Sequence, residues 1–259
     1  MKKQHAAVLA ALILGAVGAR IRTLELKALF SQGELPVKTP LTTVFVIFSA
    51  LVLLGAAAYA LWGLRNARGQ TDWLGALGSR PAVTVSALCG LTLAVSASFV
   101  PALLPYEGTP IIIFRTLACL GGLAMVLVPW LFMQSKSWKL LSLPAILPAV
   151  FACYWMAIHY RTWSGDPTVT RYGLVCLALG AAAVALSFLA GLPCSRSTVP
   201  VTVGSGLGAL YLIAASLPEL EDASCRVAFA AMAVFIAVNT ALLPEESVEK
   251  SISNETEAQ

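Results

Sequence analysis

Tyr172–Leu192 reads YGLVCLALGAAAVALSFLAGL, 21 residues with no charged side chain among them. At a rise of ~1.5 Å per residue such a run is ~31 Å long as an α-helix, the thickness of a bilayer's hydrocarbon core. Its apolar positions do not alternate with polar ones, as the strands of a membrane barrel require. Lipid offers the backbone no hydrogen bonds, so the segment must close its own, and a helix does so.

Working outward, the same kind of run recurs at Ala6–Ala19, Leu41–Leu61, Ala82–Leu104, Ile111–Met133, Leu140–Ile158, Val199–Leu217 and Ala223–Leu243. The fold expected is therefore all-α, an integral membrane bundle of about eight transmembrane helices. Short connections carry Pro36, Pro40, Pro81, Pro105, Pro110, Pro167, Pro193 and Pro218, which break helices where they leave the bilayer. No soluble domain fits between spans, so residues 1–243 form one transmembrane domain. The tail at 244–259, PEESVEKSISNETEAQ, sets five Glu against one Lys and is expected to be a disordered, acidic cytoplasmic extension.

The composition of the 259 residues agrees, with 58% hydrophobic and 12% charged, where soluble domains carry roughly 25% charged. The 17 basic and 13 acidic side chains cannot cover a water-soluble globule of this length. That excludes a soluble enzyme, a disordered protein and a nucleic-acid binder. The partner implied is the lipid bilayer, with any membrane-protein partner left unidentified and no cofactor called for. All six Trp (62, 73, 130, 138, 155 and 163) fall near span ends, the distribution of an aromatic belt, with Trp73 on a short interfacial helix at Thr71–Gly78.

Orientation follows from Lys and Arg in alternate connections. With a cytoplasmic amino terminus the inside holds nine and the outside seven; from the second span onward the count is seven against three. This places both termini in the cytoplasm, in a bacterial plasma membrane. The first span, Ala6–Ala19, is only 14 residues. Either the helix continues through Arg20–Phe30 as an amphipathic end resting on the membrane surface, or Lys2, Lys3, Ala6–Leu14 and Val17-Gly18-Ala19 form a cleavable signal.

All 13 carboxylates are read as lying in connections or in the tail, which argues against an intramembrane carboxylate relay. Arg115 is the one basic residue read as inside a span. It either forms an anion or headgroup site with Glu107-Gly108-Thr109, or snorkels to the interface and pairs with Glu107.

The densest polar and aromatic stretch is Tyr154-Trp155-Met156-Ala157-Ile158-His159-Tyr160-Arg161-Thr162-Trp163, followed by Ser164-Gly165-Asp166-Pro167. From Pro144 to Gly191, through Pro148, Phe151, Cys153, Trp155, Tyr160-Arg161, Asp166-Pro167, Tyr172 and Leu189-Ala190-Gly191, the chain resembles an uncharacterised group of clostridial-type polytopic membrane proteins. A looser likeness covers the short first span, its basic turn and Gly33–Pro36. The resemblance implies a multi-pass membrane protein and no activity, and His159 departs from the aliphatic or hydroxyl residue it would lead one to expect.

Asp166 before Pro167 reads as a helix cap. His159 has only His5 as a fellow histidine, too few for a multi-histidine metal site. Six Cys without a CxxC pair read as small apolar fillers. Gly204-Ser205-Gly206-Leu207-Gly208, Gly121-Gly122, Gly180 and Ser187 suit close helix packing, while Thr92 and Ser96 with Cys89 make a weakly polar stripe.

The candidate site is an outer-face cluster of Glu107, Arg115, His159 and Asp166, a binding site with neither a catalytic assignment nor a metal. The function expected is a non-catalytic accessory or a small-solute or lipid-binding bundle. The alternatives are a small-solute permease without a carboxylate relay, and a membrane enzyme whose outer site adds Arg161 and Glu219 to those four residues.

Overall fold

With water excluded, each apolar run closes its backbone hydrogen bonds within itself. The structure, a computed structural model, describes residues 3–29, 40–64, 77–99, 109–134, 142–164, 173–192, 197–220 and 222–243. Among these the long helices are α1 (Lys3–Leu29), α2 (Pro40–Ala58), α3 (Arg80–Ser98), α4 (Thr109–Gln134), α5 (Leu147–Trp163), α6 (Gly173–Gly191), α7 (Val199–Ser216) and α8 (Ala223–Leu242). Single turns adjoin three of them: Tyr59–Gly63, a π turn, after α2; Ser142–Ala145 before α5; and Leu217–Glu219, a 3-10 turn, after α7. The protein is an all-α, multi-pass membrane protein, and seven of these helices are long and apolar enough to cross a bilayer.

The remaining helix, α5, has 17 residues, ~25 Å. It starts later than the expected Leu140–Ile158 and runs on to Trp163, so His159 and Arg161 sit inside a helix rather than beyond one. Proline sets the start, since Pro148 falls in the first turn, where its missing N–H costs nothing.

Six helices, α3 to α8, pack in a ring that α8 closes onto α3, and α7 also carries α1 and α2 on its outer side. Close approach depends on small residues. Gly90 of α3 and Gly122 of α4 meet backbone to backbone, so a Cβ on either would collide with the other's carbonyl oxygen. Gly204 and Gly208 of α7 face Ala60 and Leu53 of the second span, while Gly206 faces Thr240 of α8. The glycine run is thus a packing surface on two sides at once.

α1 is one continuous helix of 27 residues. Its buried positions are Gln4, Val8, Ala11, Gly15, Gly18, Arg22, Glu25 and Leu29, spaced alternately by four and three. That period of 3.5 is the seam of a left-handed helix pair. Gly15 and Gly18 rest on Tyr211, Ala214 and Ala215 of α7, where a Cβ on Gly15 would lie 2.5 Å from the Ala214 Cβ. The helix therefore does continue past Ala19, but its end is packed within the bundle rather than laid on the membrane surface.

Trp155 also departs from expectation. It is buried, with its ring centroid 5.6 Å from Phe114, 5.5 Å from Phe151 and 4.9 Å from Phe229. These rings join α4, α5 and α8, and Trp155 does not belong to the aromatic belt. Trp62 and Trp130 are exposed as the belt requires. The Thr71–Gly78 helix, apart from its last two residues, and the tail at 244–259 lie outside the described residues.

Candidate functional site

The most concentrated chemistry in the fold is at the carboxyl end of α1. Arg22 and Glu25 are three residues apart and so share a face of that helix. The Arg22 Nη1 donates to the Glu25 Oε2 at 2.8 Å, and its Nε donates to the Glu219 Oε1 at 2.5 Å. Their side chains are 3%, 0% and 1% exposed.

Glu219 arrives because Pro218 ends α7 and the chain tightens into the Leu217–Glu219 turn. The Leu220 N–H closes that turn on the Leu217 carbonyl at 3.3 Å. Arg226 of α8 holds it by donating from Nε to the Leu220 carbonyl at 2.6 Å. Asp222 then caps α8, accepting from the Cys225 N–H at 3.4 Å. The Val175 N–H, in the first turn of α6, lies within the field of Glu219. One carboxylate thus bonds α1 to the turn after α7 and lies beside the start of α6.

α2 covers this cluster from the outer side. The Phe45 ring centre lies 5.6 Å from the Arg22 guanidinium carbon, within the range of a cation–π contact. One turn on, the Ser49 and Tyr211 hydroxyls are 2.7 Å apart, and Phe48 meets the Tyr211 ring edge-on at 6.2 Å. Nineteen residues separate Lys3 from Arg22, which is ~28 Å along the helix. The cluster is therefore enclosed in protein near one edge of the apolar slab.

This overturns two expectations. Not every carboxylate lies in a connection or the tail, because Glu25 and Glu219 are buried among helices. Arg115 is not the only basic residue within a span, because Arg22 is too. The apolar run stops at Ala19, and that hid both. The signal that could have found them is the alternation of four and three from Gln4 to Leu29, which carries Arg22 and Glu25 on the same seam as Gly15 and Gly18.

Of the expected outer-face cluster, Glu107 and Asp166 lie outside the described residues. Arg115 is exposed on α4. His159 is half-buried on α5, four residues from Trp155 and so on its face of the helix. Among the described residues no hydrogen bond or ion pair joins Arg115 to His159. α4 and α5 do meet at this end, where the Tyr154 hydroxyl donates to the Pro110 carbonyl at 3.1 Å. No group of three or more His, Cys, Asp or Glu suited to a metal occurs among the described residues.

Two apolar grooves open on the sides of the bundle. One, of about 430 Å³, lies between α1 and α2, walled by Ala10, Leu14, Leu51, Gly55 and Tyr59, with Leu207 of α7 as part of its lining. The other, of about 500 Å³, lies between α3 and α8 and includes Thr92, Ser96 and Ser224. Thr92 is exposed there, while Ser96 is buried and donates to the Leu93 carbonyl at 3.2 Å. The polar stripe thus borders a lateral groove. No protein family, curated protein or solved structure matches this chain.

Proposed function

We propose that the chain is a non-catalytic membrane bundle that binds the apolar chain of a lipid between α1 and α2. The groove there carries the reading. It lies within the span-forming part of both helices, is lined almost wholly by apolar side chains, and at about 430 Å³ is the size of a small-molecule site. Its partner is thus the bilayer itself, and the resemblance to clostridial-type membrane proteins adds no activity to it. The same proposal sets both termini in the cytoplasm of a bacterial cell, from the excess of Lys and Arg on that side after the second span.

A photoactivatable phospholipid tests the reading. It should label peptides from Ala7–Leu14 and Phe48–Tyr59 in preference to the other lipid-facing helices. Gly55 has nothing within 4 Å of where a Cβ would stand, so Gly55→Trp should fill the groove and abolish that preference without unfolding the protein. Even labelling of all lipid-facing helices would defeat the proposal. A second reading, a small-solute permease, is favoured by the buried Arg22, Glu25 and Glu219, now with carboxylates inside the bundle.

A further inference from the structure

Among the described residues, the cluster of Arg22, Glu25 and Glu219 does not balance its charge. One guanidinium faces two carboxylates, and all three side chains are at least nine-tenths buried. Each carboxylate also keeps one buried oxygen without a hydrogen-bond partner, Oε1 of Glu25 and Oε2 of Glu219. Leaving a surplus negative charge in a low-dielectric interior costs several kcal/mol, and a group so placed takes up a proton instead.

We propose that Glu25 and Glu219 form a proton-binding site, the pair holding one proton between them while Arg22 neutralises the carboxylate that remains. The proton belongs to the pair rather than to either residue, as in other tightly interacting carboxylates. When it leaves, an O–H bond of the pair breaks and water accepts the proton, so the cluster goes from neutral to singly negative. No other reactant enters.

The surroundings fit a titrating pair. Arg22 and Glu25 come from α1, and α2 presents the Phe45 ring to Arg22. The Glu219 turn follows α7, and α6 contributes the Val175 N–H, with the Cys176 thiol within the field of Glu219. On α8, Asp222 is engaged in its cap and Arg226 on the Leu220 carbonyl. Among the described residues none of these supplies a second cation to the carboxylates. The position at one edge of the apolar slab leaves a short path to water.

The test uses the full chain in lipid nanodiscs, with the proton itself as probe. Infrared spectroscopy at neutral pH should show one protonated carboxyl per chain. Glu25→Gln and Glu219→Gln each leave one carboxylate to one guanidinium, so each should abolish that band. No band at neutral pH in the wild type, or a band that survives in both variants, would overturn the proposal. So would a band that shrinks when sodium replaces choline at fixed pH, which would put a metal cation where the proton is assigned.

Should either variant not fold, His159→Gln, which removes the titration of the half-buried imidazole, still decides. Its folded state would bind a proton that the unfolded chain releases, so its melting temperature must fall as pH rises through neutrality. A flat or rising profile overturns the site. Gly55→Trp should leave both readouts unchanged, which separates this proposal from the lipid groove.

Discussion

Arg22 makes two charge-assisted bonds at once, from Nε to Glu219 and from Nη1 to Glu25, and a guanidinium can do this because its donors form a fixed fork. Arg22→Ala should therefore cost about 3–5 kcal/mol, the consequence of leaving buried carboxylates without their counter-charge. Arg22→Lys should recover only part of that loss, since an ammonium cannot reproduce the two-sided geometry. Denaturant unfolding of the purified variants measures both. A loss below about 1 kcal/mol for Arg22→Ala would mean that water reaches the cluster freely. From sequence, Arg22 reads as one charge among several in a basic turn. What is missing there is the partner 197 residues away, for a long-range ion pair leaves no local trace.

The elements themselves were more legible. Hydropathy alone marks five of the eight long helices, α2, α4, α6, α7 and α8, to within a few residues, because a lipid-solvated backbone has no competing way to satisfy its hydrogen bonds. Glycines foretold close packing, but not which one faces which neighbour. That distinction yields a prediction. Gly122→Ala drives a methyl into the carbonyl of Gly90 on α3 and should cost roughly 1–3 kcal/mol, the usual penalty of overpacking. Gly55→Ala on α2 meets open space and should be neutral or stabilising by up to ~1 kcal/mol. Melting temperatures of the two variants in the same detergent should move in opposite directions, or only the first should move. Trp155 shows the converse failure: a tryptophan near an apparent span end resembles a belt residue until the continuation of α5 to Trp163 places it mid-helix.

For the molecule as a whole, orientation is the property that the charge count addresses. Reporter fusions at Gln70 and Ser135 should signal cytoplasm, and those at Glu107 and Gly165 the outer side; reversed signals would invert the assignment. The candidate outer-face residues were legible only as a coincidence of polar types at one end of the bundle. Alternation of up and down helices would bring their segments to one end, whereas mutual contact depends on rotations about helix axes that hydropathy does not encode.

The pairing of α1 with α7 bears on how the chain is made. A ribosome delivers the first helix long before the seventh, so the face bearing Gly15, Gly18, Arg22 and Glu25 must spend most of translation without its permanent neighbour. During that interval Arg22 and Glu25, one turn apart, have each other; Glu219 joins only after nearly two hundred more residues have emerged. α2 cannot stand in, since Phe45 is its one buried residue between Pro40 and Ala58. The face of α1 is thus completed only when a much later part of the chain returns to it, about two hundred residues on.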